Sequence, residues 1–115
     1  MLHDWTAIEK EELSPGLARQ VVHTGNMTVA RIFVAKGAIV PRHSHVNEQV
    51  TMLVEGKLKF MYDDHEQIVD AGQLLVTTPN VPHSVVALEE SLAIDIFTPQ
   101  REDWITGDDA YLRRR

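Results

Sequence analysis

The stretch Gly37-Ala38-Ile39-Val40-Pro41-Arg42-His43-Ser44-His45-Val46-Asn47-Glu48-Gln49 decides how this chain reads. On an extended strand, residues two apart point to the same side. His43, His45 and Gln49 share odd parity, so one face can carry all three while Arg42 and Ser44 turn away. Pro41 favours an extended or turn conformation just upstream. A third histidine closes a later segment, Pro79-Asn80-Val81-Pro82-His83, where Pro82 fixes the backbone beside it. Imidazole is the commonest protein metal ligand near neutral pH, because its free nitrogen needs no costly deprotonation. A lone His-x-His is most often a surface pair. Joined to Gln49, a glycine frame and Pro-Asn-Val-Pro-His, it points to a metal centre. His3, His23 and His65 stand isolated in polar or terminal contexts and read as ordinary surface or edge residues.

Outward from this stretch the chain reads as short strands joined by turns. Residues 1–19 carry the turn signal Ser14-Pro15-Gly16 and read as irregular, with a possible helical turn at Glu9-Lys10-Glu11-Glu12. Gln20 to Thr24 is strand-like and ends at Gly25-Asn26. Thr28 to Lys36 is rich in β-branched and aromatic residues and closes at Gly37. Gln49–Val54 and Lys57–Tyr62 flank Glu55-Gly56 as in a hairpin. Leu58, Phe60 and Tyr62 alternate with Lys57, Lys59 and Met61, which marks one buried and one wetter face. Gln67–Asp70 and Gln73–Thr77 follow the polar turn Asp63–Glu66. His83–Leu88 and Leu92–Thr98 form a last pair around Glu89-Glu90-Ser91. Residues 101–112 read as a short C-terminal turn or helix. Strands at this spacing predict an all-β sandwich or barrel.

A chain of 115 residues with a 43% hydrophobic fraction reads as one globular domain, 1–115, with a barrel core of about 20–99. No apolar run approaches the ~18 residues of a membrane span. The start Met1-Leu2-His3-Asp4-Trp5 lacks signal-peptide character. There is no cysteine, hence no disulfide or thiolate chemistry, and a cytoplasmic setting is expected. The net charge of −6 argues against a nucleic-acid partner. Arg113-Arg114-Arg115 is a local exception that reads as a solvated end.

The spacing Gly37, five residues, His43-Ser44-His45, three residues, Gln49, six residues, Gly56 resembles the first motif of the cupins. That family usually has Glu where Gln49 stands. Gly72 followed by Pro79-Asn80-Val81-Pro82-His83 resembles the second motif, with Val81 and Ala87 replacing its usual Gly and Asn. The resemblance spans about residues 28–98. It implies a double-stranded β-helix, or jelly-roll barrel, and one divalent transition metal (Ni, Fe, Mn, Zn or Co) on His43, His45, Gln49 and His83. With a neutral amide in place of a carboxylate, the ion's charge is left uncompensated, which favours an anionic oxygen ligand.

The tail Asp95-Ile96-Phe97-Thr98-Pro99-Gln100-Arg101-Glu102-Asp103 is similar to the Asp-x-Phe-x-Pro-x-Arg-[Glu/Asp]-Asp pattern of the KdgF-type cupins of pectin and alginate breakdown. Those proteins convert unsaturated uronates to open-chain keto forms. The resemblance implies active-site roles for Asp95, Phe97 and Arg101: a general acid or base, an apolar wall and a carboxylate clamp. Arg101 also has a purely structural reading, a salt bridge with Glu102 or Asp103. The expected ligand is a small anionic carbohydrate. Alternatives are a metal-dependent cupin dioxygenase and a non-catalytic sugar- or acid-binding cupin. A homodimer is expected, with residues 1–25 either pairing with a neighbour's sheet edge or covering their own barrel.

Overall fold

Alternation of inward and outward side chains builds nearly all of the computed structural model, which describes residues 1–113. Among the described residues there are eight strands: β1 (Glu11–Ser14), β2 (Leu17–His23), β3 (Thr28–Val34), β4 (Ile39–His43), β5 (Glu48–Tyr62), β6 (Glu66–Asp70), β7 (Leu74–Thr77) and β8 (His83–Thr98). In β3, Thr28, Ala30, Ile32 and Val34 are buried while Val29, Arg31 and Phe33 are half-buried, as a strand with one face on a core requires. A short helix, α1 (Glu102–Ile105), and a single 3-10 turn at Ala110–Leu112 follow.

Two long strands organise the fold. β5 and β8 run antiparallel for their full length, from Glu48↔Thr98 to Tyr62↔His83. The first half of β5 and the second half of β8 belong to one layer, flanked by β7 on one side and by β3, β2 and β1 on the other. The remaining halves belong to a second layer, with β6 beside β5 and β4 beside β8. Leu13, Leu17, Ile32, Val34, Leu53, Leu58, Phe60 and Val85 fill one apolar cluster. This is the all-β jelly roll.

Three local expectations are corrected. Glu55-Gly56 does not close a hairpin, because each half of β5 already has β8 as its partner. Gly56 has a φ of +95° and bends a continuous strand at an irregularity in the pairing. Glu89-Glu90-Ser91 is the matching bend within β8, not a turn between two strands. The N-terminal segment is also more regular than it reads. β1 replaces the expected helical turn, and β1–β2 pair with each other and with β3 of the same chain.

The region 101–113 closes the seam between β4 and the β1–β2 edge. Leu112 is buried in the apolar cluster. Arg19 on β2 pairs with Glu11 (2.8 Å) and with Asp109, and Arg113 also reaches both acids. No helix is long and apolar enough to cross a membrane among the described residues.

Candidate metal centre

His43 ends β4 and His83 opens β8, and the two are cross-strand partners. His45 lies just past β4, and Gln49 sits on β5 between Thr77 and Phe97. The structure thus brings the four sequence-nominated ligands to one end of the sandwich. One ring nitrogen from each histidine lies within 4.8 Å of the others. Gln49 is 4% exposed while neighbouring Glu48 faces outward, so strand parity selects the amide over the adjacent carboxylate. The turn before His83 owes its shape to Asn80, whose φ of 65° is left-handed and whose N–H donates to the His45 carbonyl at 2.8 Å. Asn80 therefore supplies the left-handed residue of this turn, where Val81 stands in place of the usual glycine of the motif; asparagine tolerates that conformation well.

The hydrogen-bonding pattern tests the fit to a cation. Each ring Nδ1 faces a backbone carbonyl: His43 that of Pro41 (2.7 Å), His45 that of Asn47 (3.1 Å), His83 that of Val81 (2.8 Å). A carbonyl only accepts, so each Nδ1 carries the proton and each Nε2 is left with a bare lone pair. The Nε2 of His83 is buried without a partner. The Nε2 of His45 lies 3.1 Å from Gln49 Oε1, while Gln49 Nε2 donates to Thr51. Two acceptors at that separation repel unless a cation lies between them. Adjacent ligands around an ion bound at ~2.1 Å sit about 3 Å apart, so the donor set fits a divalent metal.

Burial supports neutral imidazoles. Desolvation holds His43 down at about 3, helped by His83, His45 and Arg101, and holds His45 down at about 4, helped by Arg101 and His83. His83 is lowered for the same first reason. Rings that stay unprotonated at neutral pH are ready ligands.

Asp95, Phe97 and Arg101 all reach the cavity behind the histidines. Asp95 pairs with Thr51 across the sheet. Part of the residue remains accessible, but its carboxyl Oδ1 is buried with no partner. Burial pushes this carboxyl up to about 6, against the opposing pull of Thr51, Arg101 and Gln49. Phe97 packs edge-on to His45, with ring centres 5.6 Å apart. Arg101 is 1% exposed, and much of its fork is already committed. Its Nε and Nη2 bind Asp103 at 2.9 and 2.8 Å, and Nη2 also meets the Tyr111 hydroxyl at 2.6 Å. The structural salt bridge with Asp103 is present, and only the remainder of the guanidinium faces the cavity.

Sequence reasoning missed several neighbours. Asn47 ties the ligand loop to the C-terminal segment, donating to the carbonyls of Pro99 (2.6 Å) and Gln100 (3.0 Å). Its odd parity with Gln49, shared by Thr51, was the available signal. Tyr111 stacks on His43 with ring centres 5.0 Å apart, and Trp104 lies edge-on to Phe97 at 5.2 Å. Arg19 enters from β2. No local pattern marks these three. The cavity they help to line has a volume of about 60 Å³.

None of the curated protein sequences matches the chain significantly. Solved structures do. An RmlC-like cupin from Shewanella frigidimarina is 30% identical, with a TM-score of 0.83 over 90% of this chain and 94% of that one. KdgF from a Halomonas species is 25% identical, with a TM-score of 0.83 over 90% and 99%. Oxalate decarboxylase of Bacillus subtilis, described with Mn(II) centres, shares the fold at 17% identity, with a TM-score of 0.74 over 84% of this chain and 29% of its own. The cupin domain model matches residues 30–97, and with that span and these neighbours the chain belongs to the cupin family.

Proposed function

We propose that this cupin binds one divalent metal on His43, His45, Gln49 and His83 and opens a small unsaturated uronate to its keto form in the cytoplasm. Asp95 carries the reading: a carboxyl near a pKa of 6, with a free buried oxygen, in the same cavity as the neutral His43 and His83. Ring opening takes a proton from the anomeric hydroxyl, breaks the bond between that carbon and the ring oxygen, and leaves an enolate. Protonation of the neighbouring alkene carbon then gives the ketone. One proton leaves oxygen and one reaches carbon, so a single carboxyl balanced between its two forms serves both steps. A bound divalent ion would supply Lewis-acid stabilisation of negative charge on substrate oxygen. Phe97 walls the cavity, and the Asp103 and Tyr111 contacts hold Arg101 rigid over the Phe97 ring, 4.7 Å away. The likeness to KdgF supports the substrate class.

The test is to incubate metal-loaded protein with unsaturated galacturonate and follow loss of the alkene absorbance. Asp95→Asn should lower the rate at least ~100-fold with metal content unchanged. No acceleration over buffer by the metal-loaded wild type would sink the reading. Oxygen uptake with a catechol or diketone would point instead to the dioxygenase.

We propose that the expected homodimer forms through the outer sheet face, because the N-terminal arm pairs with β3 of its own chain. Val50, Met52, Leu74, Val76, Ile94 and Ile96 form adjacent cross-strand rows there, with Leu74 and Val76 exposed. An exposed apolar patch of this kind marks an association surface. Light scattering of wild type and Leu74→Glu decides: a dimer that the charge dissociates is the expected result.

A further inference from the structure

Among the described residues, four buried polar atoms lack any partner: His83 Nε2, Asp95 Oδ1, Arg19 Nη1 and Trp104 Nε1. All four belong to residues lining the one cavity behind the histidines. The metal centre accounts for the first, and proton transfer for the second. The two donors have no role in the function proposed above. Native folds rarely leave buried donors bare without a reason. Arg19 is 3% exposed, and its guanidinium lies 4.4 Å from the centre of the Trp104 ring. The guanidinium of Arg101 sits 4.4 Å from the same ring. Glu11 and Asp109 occupy Nε and Nη2 of Arg19, which leaves the Nη1 edge.

We propose that Arg19 Nη1 and Trp104 Nε1 form a carboxylate-recognition subsite, in which a ligand carboxylate enters the cavity and accepts from both donors. Two N–H donors, one of them on a permanent cation, match the two oxygens of a planar carboxylate. At about 60 Å³ the cavity takes a carboxylate and its adjoining carbon. The body of a larger acid therefore lies toward the mouth and the histidines. Because Arg101 is largely held by Asp103 and Tyr111, Arg19 takes the carboxylate-binding role that the sequence assigned to Arg101. The inference deepens the uronate reading, resting on it only for the identity of the rest of the ligand.

The chain has two tryptophans, Trp5 and Trp104, so the indole region of a proton–nitrogen correlation spectrum holds two side-chain signals. Metal-free protein is titrated with acetate, and separately with neutral acetamide, at constant ionic strength. The expected result is a saturable downfield shift of the Trp104 indole proton with acetate, at least tenfold weaker with acetamide, and no change at Trp5. Arg19→Lys, which keeps the charge and loses the fork, should weaken acetate binding at least fivefold. If that variant fails to fold, Trp104→Phe with calorimetric detection of acetate serves the same purpose by removing one donor and keeping the ring. An unresponsive Trp104 signal, an equal response to acetamide, or acetate affinity unchanged in these variants would overturn the subsite. Because the assay uses neither metal nor uronate, its failure is distinct from failure of the isomerase reading. Uronate turnover with a silent Trp104 would leave the isomerase standing and remove the subsite.

Discussion

Replacing Gly56 by alanine is expected to cost far more than the same change at other positive-φ glycines. Gly37, Gly56 and Gly72 have φ values of +84°, +95° and +89°, so all three share the dihedral penalty, about 1–2 kcal/mol. They differ in space. A Cβ at Gly37 or Gly72 meets nothing within 4 Å, whereas at Gly56 it would lie 2.2 Å from Ser91 Oγ and 2.4 Å from the Glu90 carbonyl. The Ser91 hydroxyl accepts from the Lys57 N–H at 3.1 Å and donates to the Glu89 carbonyl at 2.8 Å. Displacing it breaks both bonds, about 1–3 kcal/mol. The backbone carbonyl cannot swing aside as a side chain can, and separating the strands adds about 1–3 kcal/mol. The total is about 3–8 kcal/mol against about 1–2 for Gly37→Ala and Gly72→Ala. Urea denaturation of the three variants reads the difference directly. Equal losses at all three sites would refute the reasoning, because the dihedral would then be the whole cost.

Acidification should destabilise the metal-free protein. His43 folds with its pKa near 3, below its usual 6.5, so between those values the unfolded chain binds a proton that the folded one does not, costing about 2 kcal/mol at pH 5. His45 acts in the same direction, while Asp95, raised to about 6, offsets about 1 kcal/mol by taking up a proton on folding. Urea midpoints in EDTA should fall between pH 7 and pH 5, and a rise would contradict this balance. Phe60→Ala, at a 2% exposed core position, should cost about 3–5 kcal/mol by the same measurement. Gln49→Glu should tighten metal binding at least ~10-fold in chelator competition by adding an anionic ligand, and weaken anion binding to the loaded protein; looser metal binding would argue against Gln49 as a ligand.

The metal end of the barrel was legible in sequence because strand parity and motif spacing are local. His43, His45 and Gln49 need only an extended backbone to share a face, and His83 needs only the turn before it. The bends at Gly56 and Glu89-Glu90-Ser91 read as hairpins for an equally local reason: a glycine between two strand-like runs looks the same whether the chain reverses or bends. The decision belongs to β5 and β8, which occupy each other's edges along their full length, a pairing tens of residues apart. Arg19, Trp104 and Tyr111 escaped for the same reason. They meet at the cavity only once the C-terminal segment folds back over β2 and β4, and an Arg on a strand carries no mark of its distant partner Asp109.

The continuity of β5 and β8 through both layers also sets how the molecule comes apart. Neither layer has a centre of its own, since each takes half of its middle from the same two strands. One layer cannot melt while the other persists, so the slowest-exchanging amides should be found in both halves of β5 and β8 and should be released together. Gln49 and Asp95 belong to one layer, His43 and His83 to the other. An ion gripped from both layers would act as a rivet through a joint that already opens only as a whole.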